Sequence, residues 1–160
     1  TLEAIAQALF KSWFIDATED GLPEGWREGK LSDICTTQYG YTASASGEPV
    51  GPRFLRVTDI NKKNWIEWGS VPHCRIPDEE KQRYTLSLGD IVVARMADPG
   101  KSAIVEQSVD AIFASYLVRL KATSLAHAYY IYGFLKSPAF RALPQEKQKF
   151  LLDCVEDARF

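Results

Sequence analysis

The chain has 160 residues, 46% apolar and 25% charged, with a formal net charge of −2. That length fits about one soluble domain with a core of its own, and no run approaches the ~20 apolar residues of a membrane-spanning helix. The charge excludes a uniformly basic protein but not a basic face, because residues 1–20 carry one Lys against four acids while residues 21–145 hold a small basic excess.

Cys35, Cys74 and Cys154 are odd in number and widely spaced. This argues against a disulfide framework and for a reducing, cytoplasmic setting. No basic-then-apolar leader stands at the start, and Thr1 reads as an internal position.

Leu2, Ile5, Ala6, Leu9, Phe10, Trp13 and Phe14 recur at helical spacing, with Thr1 as a candidate cap. So short a helix is marginal alone, and its stripe must pack on its own domain or on another long helix. Residues 17–25, ending in Gly-Leu-Pro-Glu-Gly, read as a linker, and a domain begins near Trp26. Leu31 to Ile34 is a short element. Thr36 to Gly47 is polar and aromatic without a period, a loop of the kind that is usually functional or disordered. Its Gln38, Tyr39, Tyr41, Thr42 and Ser44 are side chains able to meet base edges and phosphates.

Arg53 to Ile60, which includes Thr58, alternates basic or polar with apolar residues, predicting a half-buried strand with Arg53 and Arg56 near its ends. Asn61, Lys62 and Lys63 make a basic turn, and Trp65, Ile66 and Trp68 a next strand. His73-Cys74 has no partners at ligand spacing and reads as structural. Pro77-Asp78-Glu79-Glu80-Lys81 faintly echoes a nuclease cluster. Its acids are too close together for two strands, and it reads as the first turn of a short helix.

Leu86 to Val105 organises the chain: Gly89-Asp90 turns, Ile91 to Ala94 is a buried strand, Asp98-Pro99-Gly100 turns again, and Ala103 to Val105 starts a strand. Arg95, Lys101 and Ser102 stand at the loop. Gly100-Lys101-Ser102 resembles the end of a phosphate-binding loop, but Arg95 stands where that motif needs its first Gly and no helix follows. Ala111 to Phe113 and Tyr116 to Leu120 predict further strands. Ser124 caps a helix through Leu135, Ser137-Pro138 starts another, and Phe150, Leu151, Cys154 and Val155 suggest a last one.

Together these residues resemble the specificity subunit of type I restriction-modification enzymes. Residues 2–16 look like the end of its spacer helix, and Leu22-Pro23-Glu24-Gly25-Trp26 like the start of a target-recognition domain. Residues 37–45, 54–60, 88–95 and 100–102, Ser115-Tyr116-Leu117 and Phe134-Leu135-Lys136-Ser137-Pro138 match patterns inside that domain. Beyond Pro144 the family's Gly-Ser-Thr stretch is not found, and residues 145–160 depart from the pattern.

The resemblance implies an α+β chain: a spacer-helix fragment at 1–16, a linker at 17–25, a recognition domain with a mixed, strongly twisted sheet and flanking helices at 26–143, and a divergent tail at 144–160. It implies non-catalytic reading of half of a bipartite DNA site. The resemblance places the cofactors elsewhere: methyltransferase subunits would bring S-adenosylmethionine, and restriction-translocase subunits ATP and Mg. The residue types imply that Gln38, Tyr39, Tyr41, Thr42, Ser44, Arg53, Arg56, Thr58, Asn61, Lys62, Lys63, Arg95, Lys101 and Ser102 meet DNA, with the basic ones sharing one face and an Arg forking onto guanine. Leu2, Ile5, Leu9, Phe10, Trp13 and Phe14 would meet a partner helix, including that of a second copy. A recognition domain of a single-chain restriction-methyltransferase, or a protein-binding remnant, are the alternatives.

Overall fold

The computed structural model describes residues 1–60, 65–95, 101–144, 146 and 148. The turn at 61–64, the Asp98-Pro99-Gly100 turn and the expected helix from Phe150 lie outside the described residues.

Helix α1, Leu2–Phe10, starts where Thr1 Oγ1 accepts from the Ala4 amide. It runs on through a π-helical turn, Lys11–Ile15, and a 3-10 turn, Asp16–Thr18. Four strands then make an antiparallel sheet: β1, Cys35–Tyr39; β3, Ile91–Ala94; β4, Ser102–Ile104; and β6, Leu117–Ala122, in the order β1-β6-β3-β4. A separate parallel pair joins β2, Arg53–Leu55, to β5, Ala111–Phe113. The fold class is α+β, and the parallel and antiparallel pairings that were expected in one mixed sheet fall into two.

Strand β3 shows why an unbroken apolar run belongs here. Ile91 and Val93 face helix α4, Leu125–Lys136, with Leu120, Ile131 and Leu135. Val92 and Ala94 face the other way, against Phe113, Leu117, Leu55 and Trp68. A strand covered on both faces needs no polar alternation, and each fully buried Val or Ile contributes ~1.5–3 kcal/mol. The helix starts follow the expected chemistry. Ser124 accepts from the His127 amide, and Ser137 accepts from the Phe140 amide ahead of α5, Pro138–Arg141. Helix α3, Asp78–Tyr84, carries Asp78, Glu79 and Glu80 in its first turn.

Three expectations are corrected. The loop from Thr36 begins as edge strand β1, whose polar residues pair with β6 without alternating. The expected strand 53–60 ends at Leu55, and helix α2, Val57–Ile60, follows. Asp59 Oδ2 accepts from the Arg56 amide at 2.9 Å, the reach-back that opens a helix. Residues 65–68 form no strand: Ile66 and Trp68 are buried and a 3-10 turn covers Trp68–Ser70.

Helix α1 is not separate from the domain that follows it. Phe10 is buried on α4 against Tyr130 and beside Gly133, and Phe14 contacts Tyr130 and Trp26. Leu2, Ile5, Leu9 and Trp13, on the other side, are 44–86% exposed. The expected stripe is thus two stripes, one inside the domain and one open.

Candidate nucleic-acid interface

Strand direction decides where the polar residues gather. β1 and β3 both run antiparallel to β6, and β4 runs antiparallel to β3. The ends of β1 and β3 therefore meet the beginnings of β6 and β4. β5 extends to the same end, because Ala114 bridges Tyr41 in parallel, and β2 runs alongside β5. Tyr39, Tyr41, Arg56, Thr58, Arg95, Lys101 and Tyr116 therefore lie at the ends of strands that stop together.

The segment after β1 is pinned at both ends. Tyr41 N donates to Phe113 O at 2.8 Å, and Ser46 N donates to His73 O at 2.7 Å. Between them, Thr42 and Ser44 are exposed. Tyr41, Thr42, Arg56, Thr58, Ser115 and Tyr116 border an open groove of about 640 Å³, floored by Ala43, Phe54, Val57 and Ala114. The Tyr41 ring leans on Tyr84 at 5.2 Å, and burial pushes its hydroxyl pKa up, helped by Glu80. It stays a neutral donor at neutral pH.

The cations differ in what they are free to do. The Arg95 guanidinium lies 4.1 Å from the centre of the Tyr39 ring, and its backbone N donates to Tyr116 O at 3.0 Å. Lys101 is exposed at the start of β4. Arg56 is forked onto Asp59, with Nε and Nη2 each 2.9 Å from a carboxylate oxygen, and its charge is matched there.

Other expected contacts are spent inside the fold. Arg53, at the far end of β2, donates to Val71 O at 2.6 Å and holds the 69–71 turn, so the shared basic face does not include it. Gln38 accepts from the buried Arg119 and donates to Arg83 O. Ser102 is 2% exposed and offers DNA no surface, a correction of its expected role. Asn61, Lys62 and Lys63 lie outside the described residues.

Sequence reasoning missed Tyr116, whose ring is 62% exposed at the rim of the groove. The sequence makes it the first residue of a strand, and an aromatic just before an apolar run gives no sign that it ends on the surface.

Among the described residues, no three His, Cys, Asp or Glu side chains are grouped to hold a metal ion. Cys74 lies in the core with its thiol pushed to about 11 by burial, and His73 Nδ1 donates to Gly51 O at 2.7 Å. Among the described residues no helix is long and apolar enough to cross a membrane.

No protein-family model matches this sequence, and no curated protein matches it significantly. Solved structures do match its fold. The crystal structure of the HsdS subunit from Thermoanaerobacter tengcongensis aligns over 97% of this chain and 42% of its own length, with a TM-score of 0.61 at 16% identity. A chain from a structure on complex assembly and conformational transition of the type I R-M system aligns over 98% of this chain and 45% of its own, with a TM-score of 0.59 at 17% identity. The chain spans less than half the length of either, and it has the fold of that portion of an HsdS subunit.

Proposed function

We propose that the chain recognises double-stranded DNA in a sequence-specific way, reading one half of a bipartite site as part of a type I restriction-modification specificity subunit. The observation that carries this is the gathering of Tyr41, Thr42, Arg56, Thr58, Arg95 and Tyr116 at one end of the sheets, on a fold shared with an HsdS subunit. The reading is non-catalytic. Methyltransferase subunits supply S-adenosylmethionine, translocase-nuclease subunits supply ATP and Mg, and the complex works in the cytoplasm.

A salt titration of duplex binding tests it. Phosphate contacts give log affinity a steep negative slope against log salt. Lys62→Ala and Lys63→Ala each flatten that slope by ~1 if each holds a phosphate. Absence of binding at every salt concentration turns the assignment to the second reading, a protein-binding remnant. The internal commitments of Arg53, Arg56 and Gln38 favour that second reading over the first only in this respect.

The open stripe of α1 is the proposed partner surface, for the second spacer helix or for the same helix of a second copy. Leu9→Asp with Trp13→Asp places charge on the exposed stripe and leaves Phe10 on α4. We expect oligomers to become monomers in sedimentation while the melting transition moves little. A collapse of the folded domain would show that this stripe, too, belongs to the core.

A further inference from the structure

We infer that Arg95 is a specificity-determining residue that reads a guanine in the major groove, with Tyr39 as its positioning residue. This rests on the DNA-recognition reading and names what it leaves open, a base in the target.

Four observations lead to it. Arg95 is exposed and directly follows the last residue of β3, Ala94. Its backbone is held by the bond from its N–H to Tyr116 O, on the groove rim. Its guanidinium lies over the Tyr39 ring at 4.1 Å. Among the described residues no carboxylate pairs with it, whereas Arg56 at the same end is closed onto Asp59.

The chemistry follows from the shape of the group. Guanine offers two acceptors in the major groove, O6 and N7, spaced for the two parallel donors of a guanidinium edge. A phosphate tolerates a mobile point charge. A base edge rewards a guanidinium whose plane is already set, because less side-chain freedom is lost per bond formed. The contact with the Tyr39 ring, 4.1 Å from the guanidinium carbon, restricts the side chain before any base is met. Tyr39 is in turn held by its place in β1, paired with Val118.

The test uses the 160-residue chain and a pool of randomised duplexes. The enriched duplex is then remade with 7-deazaguanine at each guanine in turn, which deletes only N7. We expect one guanine at which this change weakens binding several-fold for the wild type and not for Arg95→Ala. At that base pair, Arg95→Ala should lose a preference of about 5- to 150-fold over the other bases while preferences elsewhere persist. Arg95→Lys, which keeps the charge without the fork, should lose the same preference, and Tyr39→Leu should reduce it. If Arg95→Ala weakens every duplex equally, Arg95 holds a phosphate and the inference falls. It also falls if no guanine N7 distinguishes wild type from Arg95→Ala. If no duplex is enriched at low salt, the DNA-recognition reading itself falls, and this inference with it.

Discussion

Replacing Arg119 by Met is expected to cost ~3–5 kcal/mol of folding stability, measured by urea unfolding at neutral pH. Arg119 lies in the middle of β6, across from Gln38 on β1 and Val92 on β3. Its guanidinium is 3.6 Å from the Asp90 carboxylate, with both side chains less than a tenth exposed. It donates to Thr85 O at 2.8 Å and to Gln38 Oε1, which ties the end of α3 to the sheet, and it lies over the Phe113 ring.

Met fills much of the same volume but donates to none of these acceptors, and each one left buried and unpaired costs ~1–3 kcal/mol. Asp90 keeps its bond from the Ser87 amide, at 2.8 Å, and the more distant charge of Lys121. Burial already pushes the Asp90 carboxyl above its ordinary pKa, and Ser87 and Arg119 pull it back. Without Arg119 it rises further.

A carboxyl whose folded pKa is raised supports folding while protonated, and that support is lost as pH rises through the folded value. The deficit of Arg119→Met should therefore shrink as the pH is lowered toward 4. Adding Asp90→Asn, which still accepts from Ser87, should recover part of it at neutral pH. A deficit below ~1 kcal/mol with no pH dependence would mean that water replaces the guanidinium and that the network contributes little.

What could be read from the chain divides along physical lines. Ile91 to Ala94 was legible because a strand covered on both faces leaves an unbroken apolar run. The helix starts at Ser124 and Ser137 were legible because capping is local chemistry written in adjacent residues. Arg119 was not, because its partners Gln38 and Thr85 are far away in sequence, and an Arg in a strand usually points to water. The same distance hid the internal roles of Gln38 and Arg53. Their residue types suit DNA equally well, and only register shows that their donors are already used. Residue type points to Tyr41, Thr42 and Arg95 in loops and to Arg56 and Thr58 in an alternating stretch, and strand direction is what brings them to one end.

Gly40→Ala is expected to cost roughly 3–5 kcal/mol and to abolish the groove, although the change adds one methyl group. Gly40 sits where the chain leaves the four-stranded sheet and joins the parallel pair. Its N–H donates to Leu117 O at 3.2 Å, the next amide, of Tyr41, donates to Phe113 O at 2.8 Å, and Ser115 N donates to Tyr41 O at 2.9 Å. A Cβ here would fall well inside contact distance of the carbonyl oxygens of Phe113 and Ala114. Those are backbone atoms and cannot rotate aside, so the two segments must part. Parting them loses about two hydrogen bonds at ~1 kcal/mol each, and whatever overlap persists adds ~1–3 kcal/mol. Tyr41, Ser115 and Tyr116 form one wall of the groove, so it moves with them. Gly47→Ala is the control, because a Cβ there meets nothing within 4 Å and its effect should be near zero. Urea unfolding of both variants, with duplex binding measured well below the melting temperature, separates the outcomes. If Gly40→Ala unfolds like Gly47→Ala, the close passage of β1 past Ala114 is wrong. If it destabilises the fold yet binds DNA as the wild type does, the groove is not where DNA is read.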